Sequence, residues 1–378
     1  MKLLLTLFSQ LLIIVCAQEN CRTPSGQIST CILITECPPL LSILRGPRPI
    51  PYEGLELLRS SQCGFEGKLP KVCCETEQPV QLSTTVEPKL SVVSEPPDVS
   101  NHSNLKLFNH SICGPITAPK IFGGNKTGVL DFPWMALIAY HINGRKEFRC
   151  GGTIINKRYI LTAAHCVTSL PPSLSLLGVR VGDHNLNTER DCDRDEDGLE
   201  IVCADQYQDF LIETIHFYHD YVPSKLQNDV GLIRLNSDID FTPINVKPIC
   251  LPIGTAQRLG QKTVTVTGWG ATEYGTRSTE LLMVNLSPVP IDECAKAYEG
   301  KSVIWYKQLC AGGKNGKDSC LGDSGGPLQS PGHYYNDVRY VQYGIVSYGP
   351  RSCGIDGFPG VYTNIPYYMD WILDSLRD

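Results

Sequence analysis

Ser324 lies in the run Gly322-Asp323-Ser324-Gly325-Gly326-Pro327, a setting suited to nucleophilic chemistry. A serine hydroxyl attacks a carbonyl only when a base takes its proton and N–H donors hold the developing oxyanion. Glycines on both sides let the main chain approach a substrate and direct the Gly322 and Ser324 amides to one point. A base is at hand in Leu161-Thr-Ala-Ala-His165-Cys166, where an imidazole ends an apolar run beside a cysteine that can anchor it. Asn228-Asp229-Val-Gly-Leu-Ile233 sets a carboxylate ahead of an apolar strand. An ion there is costly unless it orients a partner such as an imidazole. His165, Asp229 and Ser324, in that chain order, have the parts for acyl transfer.

Elements able to position such groups are short and β-rich. From Ile121 to Asp378 the chain alternates extended apolar runs with Gly, Pro and Asn turns. The clearest runs are 136–140, 159–162, 230–235, 263–267 and 342–346. This density of short strands predicts an all-β sandwich or barrel. Met369, Ile372, Leu373 and Leu376 fall at helical spacing and predict a terminal amphipathic helix.

The rest of the chain narrows the class of protein. It has 378 residues, a formal charge of −6 and no long basic run, so nothing points to a nucleic-acid partner. Residues 1–17 combine a basic start, an apolar core too short to span a bilayer and a small-residue site, Val15-Cys16-Ala17, as in a secretory signal peptide. Seventeen cysteines less Cys16 leave sixteen, a disulfide framework in a secreted chain. Zinc sites of CxxC or HExxH spacing do not occur. Six cysteines, Cys21, Cys31, Cys37, Cys63, Cys73 and Cys74, crowd a segment that needs covalent staples, and spacing alone leaves fifteen pairings open. From Glu75 to about Ser111 the Ser, Thr, Val, Glu and Pro composition predicts a flexible tether. Asn101 and Asn109 there, and Asn125 and Asn285 further on, are glycan acceptors.

Residues 121–378 resemble the chymotrypsin-fold, trypsin-like serine proteases from end to end. The matching segments are Ile121-Phe-Gly-Gly, Phe132-Pro-Trp-Met, Thr162-Ala-Ala-His-Cys, Asp229, Pro248-Ile-Cys-Leu-Pro, Gly268-Trp-Gly, Gly322-Asp-Ser-Gly-Gly-Pro and Pro359-Gly-Val-Tyr. The resemblance implies two six-stranded antiparallel barrels with a catalytic triad of His165, Asp229 and Ser324 between them. It also implies disulfides Cys150–Cys166, Cys294–Cys310, Cys320–Cys353 and Cys113–Cys250. Asp318 falls at the family's pocket base, where a carboxylate selects Lys or Arg. Gly349 and Gly360 match the pocket walls, and Ser319 adds a hydroxyl for a lysine ammonium. By the same resemblance residues 75–120 join linker and activation site. Cleavage after Lys120 would free the Ile121 ammonium to pair with Asp323. Tyr348 stands where tryptophan is usual, Gly231 where alanine is common and Phe122 where valine is usual.

Residues 21–74 resemble the clip domain of arthropod proteases, which implies Cys21–Cys73, Cys31–Cys63 and Cys37–Cys74. The mature chain as a whole resembles clip proteases of the easter, grass, spätzle-processing and prophenoloxidase-activating type. In that subgroup the loop 182–203, with the extra pair Cys192–Cys203, implies Ca²⁺ held by the carboxylates of Asp183 and Asp191 and by backbone oxygens of Asn185 and Thr188. A solvated acidic loop stapled by a disulfide is the alternative. The expected function is a secreted zymogen acting in an extracellular cascade, cutting after Arg or Lys. An upstream activating protease, a downstream zymogen, cytokine precursor or prophenoloxidase, and serpin inhibitors are the expected partners. Two rivals differ in kind: a clip-domain cofactor without proteolysis, against which Ser324 argues, and a digestive trypsin, which has little use for clip and linker.

Overall fold

A computed structural model describes residues 20–24, 28–45, 52–67, 69–74, 95–116, 127–272, 275–314, 316, 318–350 and 353–378. The expected signal peptide, Lys120, Ile121, Phe122 and Asn125 lie outside the described residues. The chain divides into two compact units, residues 1–89 and 90–378.

In the first unit four strands, β1 (Asn20–Arg22), β2 (Ile28–Leu33), β3 (Gln62–Glu66) and β4 (Leu69–Cys74), form one antiparallel sheet in the order β1-β2-β4-β3. Helices α1 (Pro38–Arg45) and α2 (Tyr52–Ser60) fill the connection between β2 and β3. The apolar core is only Ile34, Cys37, Leu40, Val72 and Cys74 with a few half-buried neighbours. A core that small needs cross-links, and three are present: Cys21–Cys73, Cys31–Cys63 and Cys37–Cys74. The adjacent Cys73 and Cys74 on β4 tie that strand to two different regions.

The second unit is built from two sheets of seven strand segments each. The first contains β5 (Met135–Ile142), β6 (Arg145–Ile154), β7 (Tyr159–Thr162), β8 (Leu174–Val181), β11 (Gln208–Phe210), β12 (Ile212–Phe217) and β13 (Gly231–Leu235), in the order β11-β8-β5-β6-β7-β13-β12. Only Leu211 separates β11 from β12, yet they occupy opposite edges. One bent strand therefore pairs with β8 through its first half and with β13 through its second, closing a six-stranded barrel. The second sheet repeats the device. Its segments are β14 (Val264–Gly268), β15 (Leu282–Leu286), β16 (Pro288–Val289), β17 (Gln308–Ala311), β18 (Pro327–Tyr334), β19 (Asp337–Tyr348) and β20 (Gly360–Asn364), ordered β15-β14-β18-β19-β20-β17-β16. There β15 and β16, separated by Ser287, stand at the two edges. In each barrel the bent strand thereby joins the two ends of the sheet. The hairpin β9 (Cys192–Arg194) and β10 (Glu200–Cys203) stands apart as a two-stranded ribbon.

Buried polar pairs lock the barrels together. Trp134 Nε1 donates to Gln329 Oε1 at 2.7 Å, and Gln329 Nε2 donates to Thr267 Oγ1 at 3.2 Å. Thr153 Oγ1 donates to Gln342 Oε1 at 2.6 Å. All five side chains are almost fully buried, where an unmatched polar group would be costly. A short helix, α4 (Ile291–Ala297), follows β16, and the chain ends on α5 (Met369–Ser375), which buries Met369, Ile372 and Leu373, while Leu376 caps it.

The segment expected to be a free tether behaves differently in its described part. Residues 95–116 pack against the barrels, with Val99 and Phe108 buried and a 3₁₀ turn at Ser103–Leu107. Asn104 Nδ2 donates to the carbonyls of Leu373 (2.9 Å) and Leu376 (3.3 Å) at the end of α5. His110 joins Tyr334 Oη and the Leu105 carbonyl. Composition hid this packing because a few apolar anchors suffice once a finished surface receives them. Asn101 and Asn109 remain exposed within it, as does Asn285 on β15.

Candidate active site

His165 sits on α3 (Ala164–Val167), directly after β7, and the Cys150–Cys166 disulfide fastens that turn to β6. Its Nδ1 meets Asp229 Oδ2 at 2.8 Å, and its own amide donates to Asp229 Oδ1 at 2.9 Å. Both contacts join residues 64 apart in sequence. Asp229 is fully buried two residues before β13. Burial would lower the His165 pKa, but the charge and hydrogen bond of Asp229 outweigh it and hold the imidazole above its ordinary value.

Three supports of Asp229 are not evident from any linear motif. Ser347 Oγ donates to Oδ2 at 2.5 Å, and Thr363 Oγ1 donates to the Asp229 carbonyl at 2.7 Å. Asn228 takes a left-handed conformation, φ 57°, which asparagine tolerates better than most residues. Its amide donates to the Asp220 carbonyl, and Tyr368 Oη donates to its Oδ1 at 3.0 Å. The sharp reversal before β13 therefore aims the carboxylate at the imidazole.

Ser324 follows the turn closed by Cys320–Cys353. Its carbonyl accepts from Gly151 N–H at 2.8 Å, while Gly325 N–H donates to the Val346 carbonyl at 2.9 Å. These bonds hold the serine between β6, beside the His165 turn, and β19, which carries Ser347. A side chain at Gly325 would collide with Thr162 and the Gly151 carbonyl, and the glycine adopts φ 79°. Among the described residues neither the Gly322 nor the Ser324 amide donates to a protein acceptor. Gly322 has φ 109°. The preceding Asp323 accepts from Gly270 N–H (2.8 Å) and Cys320 N–H (2.9 Å). Burial raises its pKa against those two bonds and the charge of Arg277.

Asp318 closes a pocket beside this turn. A Cβ on Gly360 would stand 2.7 Å from Asp318 Oδ1, and one on Gly349 would stand 3.9 Å from Oδ2 and from the Gly360 Cα. Ser319 N–H donates to Oδ1 at 2.8 Å, whereas the buried Oδ2 has no hydrogen-bond partner among the described residues. Burial pushes the Asp318 carboxyl up to about 7, although nearby amides of Ser319, Gly354 and Gly360 pull the other way. Ser319 Oγ lies 3.0 Å from Tyr362 Oη. Tyr348, next to Gly349, is half-buried with its hydroxyl 3.1 Å from Ser302 Oγ.

The acidic loop assembles more compactly than its spacing requires. Asp191 Oδ2 accepts the amides of His184 and Asn185, both at 2.9 Å, and Oδ1 accepts Thr188 Oγ1 at 2.5 Å. Asp183 Oδ2 pairs with Arg180 at 3.1 Å, while its buried Oδ1 has no partner among the described residues. Burial, with Asp191 and Asp209 nearby, raises the Asp183 pKa despite that arginine. The Asn185 carbonyl accepts Thr188 N–H at 3.0 Å. Further disulfides are Cys192–Cys203 across β9 and β10, Cys294–Cys310, and Cys113–Cys250, which anchors the packed segment 95–116.

Two closed barrels with an imidazole–carboxylate pair and a glycine-flanked serine at their junction define a serine protease of the trypsin fold. Residues 121–372 match the family model described as Trypsin, and residues 21–74 that described as the regulatory CLIP domain of proteinases. The chain belongs to the trypsin family of serine proteases and carries a clip domain. It is 38% identical to serine protease ea of Drosophila melanogaster over 95% of this chain and 91% of that protein. Melanization protease 1 of the same species is 35% identical, covering 94% of this chain and 93% of the relative. The crystal structure of Drosophila Grass, a clip serine protease of the Toll pathway, superposes with a TM-score of 0.65 at 32% identity. That match spans 95% of this chain and 97% of Grass.

Proposed function

We propose that this protein is a secreted zymogen which, once cut after Lys120, hydrolyses other extracellular proteins after Arg or Lys. The observation that carries the specificity is the buried Asp318 carboxylate, with one oxygen unpartnered between two glycines. A side chain reaching that oxygen must be long and must bring a cation or a proton. Lys and Arg meet both demands, and the glycines leave room for them.

In the reaction His165 takes the Ser324 proton as the hydroxyl attacks the carbonyl. Asp229 holds Nδ1–H and balances the imidazolium, and the Gly322 and Ser324 amides receive the oxyanion. The same imidazolium protonates the leaving amine, and a water then releases the acyl group. Activation works through Asp323. Among the described residues no cation lies within ion-pair distance of this carboxylate; a new Ile121 ammonium would supply one, and the open cavity lined by Gly268, Gly270, Leu321 and Asp323 offers the path to it. Such a pair would order the Gly322–Ser324 turn.

The relatives named for melanization and the Toll pathway support a place in an extracellular cascade, with an upstream protease, a zymogen, cytokine-precursor or prophenoloxidase substrate, and serpin control. Secretion accords with sixteen disulfide-bonded cysteines, and no helix among the described residues is long and apolar enough to cross a membrane. Ca²⁺ fits the loop 182–203: the orphan Asp183 Oδ1 and the Asp191 carboxylate are hard oxygen donors, with Asn185 and Thr188 supplying main-chain oxygens. The ion would brace that loop and takes no part in acyl transfer.

The decisive experiment compares activated wild type with Asp318→Ser on a peptide library. Wild type should cut after Arg and Lys, and the variant should lose orders of magnitude in kcat/KM on those substrates. An unchanged preference for basic residues would refute the assignment.

A further inference from the structure

Arg277 reaches from the 275–280 loop to the turn that carries the catalytic serine. A Cβ built on Gly322 would lie 3.2 Å from Arg277 Nε and 3.4 Å from its Cζ. Its Nη1 donates to the Phe148 carbonyl on β6 at 2.6 Å. The guanidinium therefore bridges β6 and the outer face of the Gly322–Ser324 turn. Among the described residues no carboxylate lies within ion-pair distance of it. A neighbouring cation, Arg149, is paired with Glu147 at 2.6 Å, so that acid is already engaged. Burial, followed by the charge of Arg149, lowers the Arg277 pKa, and Glu147 and Asp323 only partly offset this. A partly desolvated guanidinium with five donors and one protein acceptor has room for a planar anion.

The location decides which anion. The side chain before the cleaved bond enters the pocket bounded by Asp318, Gly349 and Gly360, on the β19–β20 side of Ser324. The peptide after the bond must leave on the opposite side, along β6 and the Arg277 loop. We propose that Arg277 is a specificity-determining residue that receives an Asp or Glu carboxylate from the first three substrate residues after the scissile bond. The inference rests on cleavage after a basic residue as read above. It also bears on self-activation. The chain's own junction continues Ile121-Phe-Gly-Gly-Asn-Lys126, with no acid to offer. The enzyme should therefore be a poor activator of its own zymogen, and a different protease must cut after Lys120.

The test uses the full chain activated by limited proteolysis and two series of internally quenched peptides. One series carries Asp or Glu at each of the three positions after a fixed Arg, and the other carries the neutral Ile-Phe-Gly. Wild type should favour the acidic series by roughly two- to fivefold in kcat/KM, the scale of a partly exposed ion pair. Arg277→Gln should bring the ratio to about one, and Arg277→Glu should invert it. Because the readout is a ratio on one enzyme, a general loss of folding cancels. Wild type with no acid preference, or variants that keep it, would overturn the assignment. An enzyme inert toward an arginine ester and every peptide would instead overturn the proteolytic reading beneath it.

Discussion

At the scale of single residues, Asp318 has the most measurable consequence. Burial, above all, pushes its carboxyl up to about 7. Only the carboxylate can pair with a cationic ligand, so a bound amidine or guanidine must drive the proton off. We expect benzamidine affinity to be full above pH 7 and to fall toward tenfold per pH unit below it, with proton release on binding near neutrality. Calorimetry in buffers of different ionisation enthalpy measures that release, and a pH-independent affinity between 5.5 and 8 would show that the carboxylate is ionised throughout. The motif around Ser324 was legible in sequence because its glycines serve local backbone demands. Ser347 was not, since nothing in its own neighbours says that its hydroxyl faces a carboxylate 118 residues earlier.

At the scale of elements, two local assemblies can be tested separately. Asn104 Nδ2 donates to two carbonyls at the end of α5, those of Leu373, which also accepts the Leu376 amide, and Leu376, which also accepts Arg377 Nη1. Asn104→Ala should cost about 1 kcal/mol and lower Tm by about 2–4 °C, measured by scanning calorimetry. An unchanged Tm would mean that water replaces the amide at no cost. The loop 182–203 gives the second test. The proposed Ca²⁺, held only by the folded loop, should raise Tm, and EDTA should reverse the rise. Asp183→Asn should abolish the response while leaving the fold intact. A wild type indifferent to Ca²⁺ would leave Arg180 as sufficient counter-charge for that carboxylate.

At the scale of the whole molecule, the junction at Lys120 and the disulfide Cys113–Cys250 act together. Cleavage after Lys120 should produce activity, because only then does Ile121 carry an ammonium. The light chain should remain attached through Cys113, and its segment 95–116 is further held by Asn104, His110 and the buried Val99 and Phe108. The expected gel shows one band unreduced and two reduced, with a heavy chain beginning Ile-Phe-Gly-Gly. Separation without reductant would disprove the tether, and activity in Lys120→Gln would disprove the switch.

The sequence by itself determined the chemistry on offer and the class of fold. A glycine-flanked serine, a histidine beside a cysteine, an aspartate before an apolar strand and a density of short strands are all local signals, written in contiguous residues. Pairings across distance were decided only by tertiary structure. Six cysteines admit fifteen pairings by spacing, and the three bonds that exist depend on which strands adjoin. The strand halves β11 and β12 reveal barrel closure only once each has found its edge. Residues 95–111 read as part of a tether from composition, because a handful of anchors acquires value only against a surface made by residues far away. Arg277 belongs to the same category: on its own loop it is one exposed cation, and its position over Gly322 comes from the packing of one barrel's loop against the other barrel's strand.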